Sequence, residues 1–432
     1  MNSKHTLFVS VLIALAFSII VMPYQFSFLA DDYIFLSRSF QSNFNMMDFG
    51  VIYVRRPLTA IVNSILLKTG LFDHLKLLFS FFLCLHSFGV LQITNWLSNS
   101  IRSIKQESSS QTSPWQFIFL ILICLYPSLH EVMLWPFNLP YSFGTLFLAG
   151  LVFSRSLFMR TLWMFLAFST LETYFIFALI LPAVPDLLTG SSVLQVIKQK
   201  RFRSHGFSWG IAFLIYLALR WRLSTQVVVA PFNLDFSLSH LLEFSKMYGS
   251  LLWTIHFYKT SWIFSLLEWI AFLIVLLSFS PSLKEKFRSA GVILLLPFLS
   301  SSHALIMSYY APRAIHGAVV LKLILFGFIL SRFAIRASSQ LKGFVLVLLM
   351  VAYLGESIVI FSKKTKNTQI LEQREKIWTQ TFKDCQEPCV LSIGGLNQGL
   401  DTDWTLPNFV FEPYLRWIQQ KNRIQKNISF TP

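Results

Sequence analysis

The chain has 432 residues, 54% of them hydrophobic and 13% charged, with a formal net charge of +16. Soluble domains carry about a quarter charged residues, so a water-soluble multidomain enzyme is excluded, as are collagen-like, disordered and disulfide-scaffold classes. Phe occurs 45 times and Trp 12 times, a loading that suits lipid as solvent, and the composition describes an all-α polytopic membrane protein. Once the apolar runs are removed no basic, aromatic-interleaved surface is left, so no nucleic-acid partner is expected.

The first apolar run, Thr6 to Ala30, follows Lys4. It is too long for a signal-peptide core, and Phe28 stands where a cleavage site needs a small residue, so it reads as an uncleaved span with the N-terminus inside. Residues 31–73 are more polar. Within them Pro57 to Leu71 is apolar but short and interrupted by Lys68. Crossing the hydrocarbon core takes about 20 residues, so this piece is expected to lie at the membrane surface, with Pro57 in its first turn.

Further spans are expected over His74–Leu97, Trp115–Trp135, Pro140–Ser154, Leu157–Leu171, Thr173–Leu188 and Phe207–Leu219. After a second long loop, residues 223–261, come Trp262–Phe279, Val292–Tyr309, Ala318–Ser331 and Phe344–Phe361. That makes about eleven crossings, several of them short for the ~17–25 residues a span uses. Leu238–His256 has helical periodicity and reads as a second surface helix. In the polar tail, residues 362–432, Gln369–Phe382 and Pro413–Gln420 read as helices, Cys389–Ile393 as a strand and Gly394-Gly395 as a turn.

Basic residues recur in alternate loops. They are Arg102 and Lys105; Arg155 and Arg160; Lys198, Lys200, Arg201 and Arg203; Lys284, Lys286 and Arg288; and Arg332, Arg336 and Lys342. This positive-inside pattern puts those loops in the cytoplasm and, with an odd number of spans, the tail outside. In a bacterium the membrane would be the plasma or inner membrane. Cys84 and Cys124 lie in apolar runs and read as small hydrophobes. Cys385 and Cys389 lie in the tail, either paired in a short disulfide if the tail is extracytoplasmic or as two free thiols.

The outer ends of the spans collect ionisable groups: Asp31, Asp32, Arg55, Arg56, His130, Glu131, Glu172, Arg220, Arg222 and Arg313. Charges at a membrane are expensive and point to function. A carboxylate pair can deprotonate a hydroxyl nucleophile. Arginines bind phosphate through forked, charge-assisted hydrogen bonds. Together these are what glycosyl transfer from a lipid phosphate needs. Asp31, Asp32, His130 and Glu131 are also metal-ligand types, but their spacing is diagnostic of no metal. No Gly-rich phosphate loop, Ser-His-Asp set or nucleotide fingerprint is present.

The order of short motifs resembles a known family. Ala30-Asp31-Asp32-Tyr33 follows the first span, then Val54-Arg55-Arg56-Pro57-Leu58, then a surface helix ending Lys68-Thr69-Gly70-Leu71-Phe72, then a span containing Leu85-His86. Pro127-Ser128-Leu129-His130-Glu131-Val132, Ser169-Thr170-Leu171-Glu172-Thr173 and Leu217-Ala218-Leu219-Arg220 continue it. This resembles the polytopic GT-C glycosyltransferases, in particular the protein O-mannosyltransferase-like and tetratricopeptide-linked O-mannosyltransferase groups. The chain departs from them at His130, one position off the family spacing, at Leu171, where the family has Lys, and at Arg313, which follows Pro312 rather than preceding an aromatic-Pro motif. It also lacks tetratricopeptide repeats.

The resemblance implies a GT-C-type transmembrane domain over residues 1–361, with residues 31–73 as the outer catalytic loop, and a small α/β extracytoplasmic tail over 362–432. It implies inverting transfer from a polyprenyl-phosphate sugar to a hydroxyl of a glycan, lipid or protein acceptor. Asp31 would be the general base and Asp32 its partner. Arg55, Arg56 and Arg220 would hold the lipid phosphate, and Glu131 and Glu172 would position sugar or acceptor hydroxyls. His130 and Arg313 complete the substrate-binding set. No cofactor or metal is demanded. Two other functions fit the same composition: a lipid-linked saccharide transporter, disfavoured because no inverted repeat is visible and the charges crowd one face, and a non-catalytic GT-C-like assembly partner.

Overall fold

The computed structural model describes residues 56–105, 115–224, 262–301, 316–386, 389–392, 408–426 and 428–431, with scattered positions among 11–36 and 237–245. Asp31, Asp32, Arg55, Arg313, most of the first span and most of the 223–261 loop lie outside them. The described chain is helical apart from two short strands.

Helix α1, Pro57–Lys68, begins at the proline and ends where Gly70 adopts a left-handed φ of 70°. A side chain rarely tolerates that conformation, so glycine there stops the helix. At 12 residues, α1 is about 18 Å long, too short to cross a bilayer. Its faces are inverted relative to a soluble helix: Thr59, Asn63 and Ser64 are buried, while Ile61 and Ile65 point outward. That suits a helix whose outer surface meets lipid.

Four helical segments are long and apolar enough to cross a membrane: Leu71–Lys105, Pro136–Phe153, His316–Arg336 and Ser339–Asp384. In order, α2 is Leu75–Lys105, α3 Trp115–Cys124, α4 Pro127–Met133, α5 Ser142–Phe153, α6 Leu157–Thr170 and α7 Tyr174–Ile180. Then come α8 Val184–Thr189, α9 Val193–Lys198, α10 Lys200–Ser224, α11 Trp262–Ser278, α12 Leu283–Ser300, α13 His316–Arg336 and α14 Ser339–Asp384. Helix α2 packs on α5 and α13, α6 on α5 and α10, α12 on α13, and α11 on α14.

Two expected spans are broken by proline, which lacks the N–H that continues a helix. Trp115–Trp135 divides at Pro127 into α3 and α4. Thr173–Leu188 divides at Pro182 and Pro185 into α7, a 3-10 turn and α8. Such breaks are tolerated at membrane depth only where protein buries them, and Tyr126, Leu181 and Val184 are all fully buried. Pro136 and Pro140 shape a 3-10 stretch, Pro136–Tyr141, that leads into α5.

The last span and the expected tail helix Gln369–Phe382 are one helix of 46 residues, α14. No Gly or Pro lies between Ser362 and Asp384 to divide them. Beyond it the tail holds α15, Asn408–Lys421, and a parallel pair of strands, β1 Cys389–Ser392 and β2 Ile428–Thr431. Cys385 and Cys389 form a disulfide with Cα atoms 5.7 Å apart. Tyr414 of α15 donates to the Leu371 carbonyl of α14 at 3.2 Å.

Two groups of polar contacts stand at opposite ends of α2. At one end Lys76 Nζ donates to the Met22 carbonyl at 2.6 Å and the Gln25 N–H to Thr365 Oγ1 at 2.9 Å. At the other, Lys105 meets Glu285 at 2.6 Å, Arg160 donates to Ser204 at 2.9 Å and Arg201 pairs with Asp186 at 2.8 Å. The second group is drawn from the basic loops.

Glu285, at the start of α12, tests that end. Burial raises its pKa, but hydrogen bonds from Lys105 and Ser280 and the charges of Lys105 and Arg332 outweigh burial and hold it below its ordinary 4.5. A carboxyl held low contributes stability above its unfolded-state pKa and loses it as pH falls through the folded-state value. Glu285→Gln should therefore lower the thermal midpoint in detergent at pH 7. The gap from wild type should close as pH falls below about 4.5.

Candidate functional site

Arg56 precedes a proline, and the ring of Pro57 disfavours helical geometry for it. Its backbone is accordingly non-helical, at φ −142° and ψ 63°. Glu172 sits in another break: α6 ends at Thr170, Leu171 is extended, and α7 begins at Tyr174. One hydrogen bond ties α1 to the α6–α7 break and a second ties it to the Pro136–Tyr141 stretch. Thr59 Oγ1 donates to the Thr170 carbonyl at 2.8 Å, and Asn63 Nδ2 to the Phe137 carbonyl at 2.9 Å.

The result is a forked ion pair between residues 116 apart. Arg56 Nε donates to Glu172 Oε2 at 2.7 Å and Nη2 to Oε1 at 2.8 Å. Arg56 Nη1 also donates to the Tyr141 hydroxyl, and the guanidinium lies 5.1 Å from that ring's centroid. Tyr174 donates to the Tyr141 carbonyl at 3.2 Å. The side chains of the pair are only 13% and 11% exposed, so the fork supplies part of what water would give each charge.

Around the pair, helices approach closely. The N–H of Gly317, in the first turn of α13, donates to Thr173 Oγ1 at 3.2 Å, and a Cβ at 317 would lie 2.6 Å from the Thr173 carbonyl oxygen. A Cβ at Gly144 would collide with the Tyr174 ring. Small residues at such crossings let membrane helices pack.

Arg220 is half-buried near the end of α10. Helix α10 runs parallel to α6, with Arg160 on Ser204 at one end and the rings of Phe168 and Trp209 in contact further along. Arg220 thus comes at the same end of the bundle as Glu172. Glu131 lies in α4 and its side chain is outside the described residues.

His130 is elsewhere. It is fully buried, with Nε2 on the Cys124 carbonyl at 2.5 Å, Nδ1 with Ser357 Oγ at 3.0 Å, and its ring among Phe17, Phe79 and Phe361. It is a satisfied core histidine that seats α4 against α14, and both nitrogens are in use. In this structure the Arg56 fork is engaged by Glu172.

A second charged cluster went unread in the sequence. Lys322 of α13 donates to Glu268 Oε1 of α11 at 3.0 Å and to the Tyr126 hydroxyl at 2.8 Å. Tyr353 of α14 donates to the same Glu268 oxygen at 3.0 Å. Glu356, one turn beyond Tyr353, is also buried. The signal was available, since Glu268, Lys322 and Glu356 each interrupt an apolar run. The sequence reading weighed only the ends of the spans. Among the described residues no group of three or more His, Cys, Asp or Glu is placed to hold a metal.

Comparison of the chain with protein-family models, with curated proteins and with solved structures finds no match.

Glu172→Gln removes the charge that Arg56 faces, and should cost about 3 kcal/mol of stability, as for other partly buried pairs deprived of one member. The double variant Arg56→Met with Glu172→Met should recover part of that loss, because neither member of the pair is left facing a neutral side chain. Thermal unfolding of the three proteins in one detergent measures both effects.

Proposed function

We propose that the protein is a GT-C-type glycosyltransferase that moves a sugar from a polyprenyl phosphate to an acceptor hydroxyl at the extracytoplasmic face of a membrane. The observation that carries this reading is the Arg56–Glu172 fork. Its members come from two separate motif segments of the family resemblance, and they meet as one site. The basic loops gather at the other end, where Lys105 and Arg201 have their partners. The tail disulfide agrees with an oxidising, extracytoplasmic location for residues 362–432, with the N-terminus in the cytoplasm and about eleven crossings between.

In this mechanism Asp31 takes the proton of the acceptor hydroxyl. The hydroxyl oxygen attacks the anomeric carbon from the face opposite the phosphate. The bond from that carbon to the phosphate oxygen breaks, its electron pair leaves with the polyprenyl phosphate, and the sugar is inverted. Asp32 shares or orients the charge of Asp31. The phosphate contacts fall to Arg55 and Arg220, with Arg313 as a further cation. Arg56 and Glu172 act as a positioning pair that holds the catalytic loop against α6, and Glu131 faces sugar or acceptor. The donor is a lipid-linked sugar, and the acceptor a glycan, a lipid or a protein.

A second reading, transport of a lipid-linked saccharide, draws on the Lys322–Glu268–Tyr353 cluster. Buried intramembrane charge of this kind is common in transporters, and it weakens the argument that the charges crowd one face.

Asp31→Asn keeps the shape of the side chain but cannot take a proton. General-base help is worth roughly 10²–10⁴ in rate. Transfer of labelled sugar from a polyprenyl-phosphate donor into membrane acceptors should fall at least about a hundredfold, at unchanged protein level. Undiminished transfer by the variant would remove Asp31 from the mechanism. A wild type that moves the lipid-linked sugar across a proteoliposome membrane without cleaving it would favour transport.

A further inference from the structure

Beside Tyr141 and Tyr174, which adjoin the Arg56–Glu172 pair, lie two histidines without hydrogen-bond partners among the described residues. His86 comes from α2 and His316 is the first residue of α13. Their rings are 5.3 Å apart between centroids and tilted by 49°. They are 0% and 1% exposed, and among the described residues neither nitrogen of either ring has a hydrogen-bond partner. The ring of Tyr141, whose hydroxyl accepts from Arg56, is 6.4 Å from His316, and that of Tyr174 is 6.1 Å away.

Both rings are held in place by backbone packing. Gly317 fixes His316 against Thr173, as described above. Gly89, one turn beyond His86, brings α2 so close to α5 that a Cβ there would lie 2.8 Å from the Thr145 carbonyl carbon. The helices cannot easily shift to let the two imidazoles bond each other.

A neutral imidazole presents one N–H and one lone pair, so the pair offers two donors and two acceptors. Leaving a buried polar group unmatched costs about 1–3 kcal/mol, and roughly nine in ten such groups are matched in native proteins. We propose that His86 and His316 together bind one hydroxyl group, which accepts the N–H of one ring and donates to the bare nitrogen of the other. A hydroxyl fits because it is donor and acceptor in one atom. The burial of both rings limits the ligand to a single hydroxyl rather than a whole sugar ring. A metal ion fits less well: no third ligand stands with the two histidines among the described residues.

The hydroxyl comes either from a buried water or from a saccharide reaching between the rings. The saccharide source rests on the glycosyltransferase reading, and the water source does not. The experiment uses the full chain, labelled with ¹⁵N-histidine, in lipid nanodiscs. His86→Phe and His316→Phe identify the two sets of ring resonances. Hydrogen-bonded shifts on both rings without any addition assign a bound water. Shifts that appear only with methyl mannoside or methyl glucoside assign a saccharide hydroxyl. Rings that remain unbonded in both conditions overturn the proposal, as does a pattern abolished by EDTA.

Thermal midpoints give an independent sign. An empty pair predicts that each Phe variant is as stable as wild type or more so, with and without glycoside, because only unmatched nitrogens are removed. An occupied pair predicts a lower midpoint for both variants in the condition where the shifts appear. Water-bound rings in a protein that transfers no sugar would leave this proposal standing while the glycosyltransferase reading failed.

Discussion

A charge buried away from water must find an opposite charge or a set of hydrogen bonds, and that constraint organises this protein. Removing a charged side chain from water costs several kcal/mol even after the surroundings relax. For Arg56 and Glu172 the chain meets the cost at places where its helices are broken. Arg56 stands at the start of α1, Tyr141 at the end of a 3-10 stretch and Glu172 between α6 and α7. Tyr126, which accepts from Lys322, stands at the break before Pro127. Breaks free the backbone from the regular rise of a helix and let side chains from distant segments converge. The same breaks leave several segments below spanning length.

Much of this was legible in the sequence, for identifiable reasons. Helix α1 was readable because Pro57 and Gly70 punctuate it, and Gly70 has the left-handed φ that ends such a helix. The limits of α11 and α6 were readable because polar residues flank predominantly apolar runs. Arg56 and Glu172 were readable as important because charge at a membrane is rare. Their mutual contact was not, since nothing local links residues 116 apart.

The misreadings share a cause. Hydropathy alone treats an apolar run as one helix, so Trp115–Trp135 read as a single span although Pro127 divides it. It also treats a polar stretch as a new unit, so the continuation of α14 past Ser362 read as a separate helix. Lys322 and Glu268 were overlooked because mid-span charges were read as part of their runs. In a membrane protein such charges carry more information than those at the span ends, because they lie farthest from water.

The account depends most on the two ends of the bundle facing opposite sides of a membrane, with the Arg56–Glu172 end outside. Single cysteines placed at Ser339, at the start of α14, and at Ser429, in β2, report on the two sides; both positions are exposed. The native Cys84 and Cys124 are buried and Cys385 is bonded to Cys389, so background labelling should be low. In intact cells a membrane-impermeant maleimide should label Ser429→Cys at once and Ser339→Cys only after permeabilisation. Labelling of Ser339→Cys with protection of Ser429→Cys, or equal labelling of both in intact cells, would contradict the account.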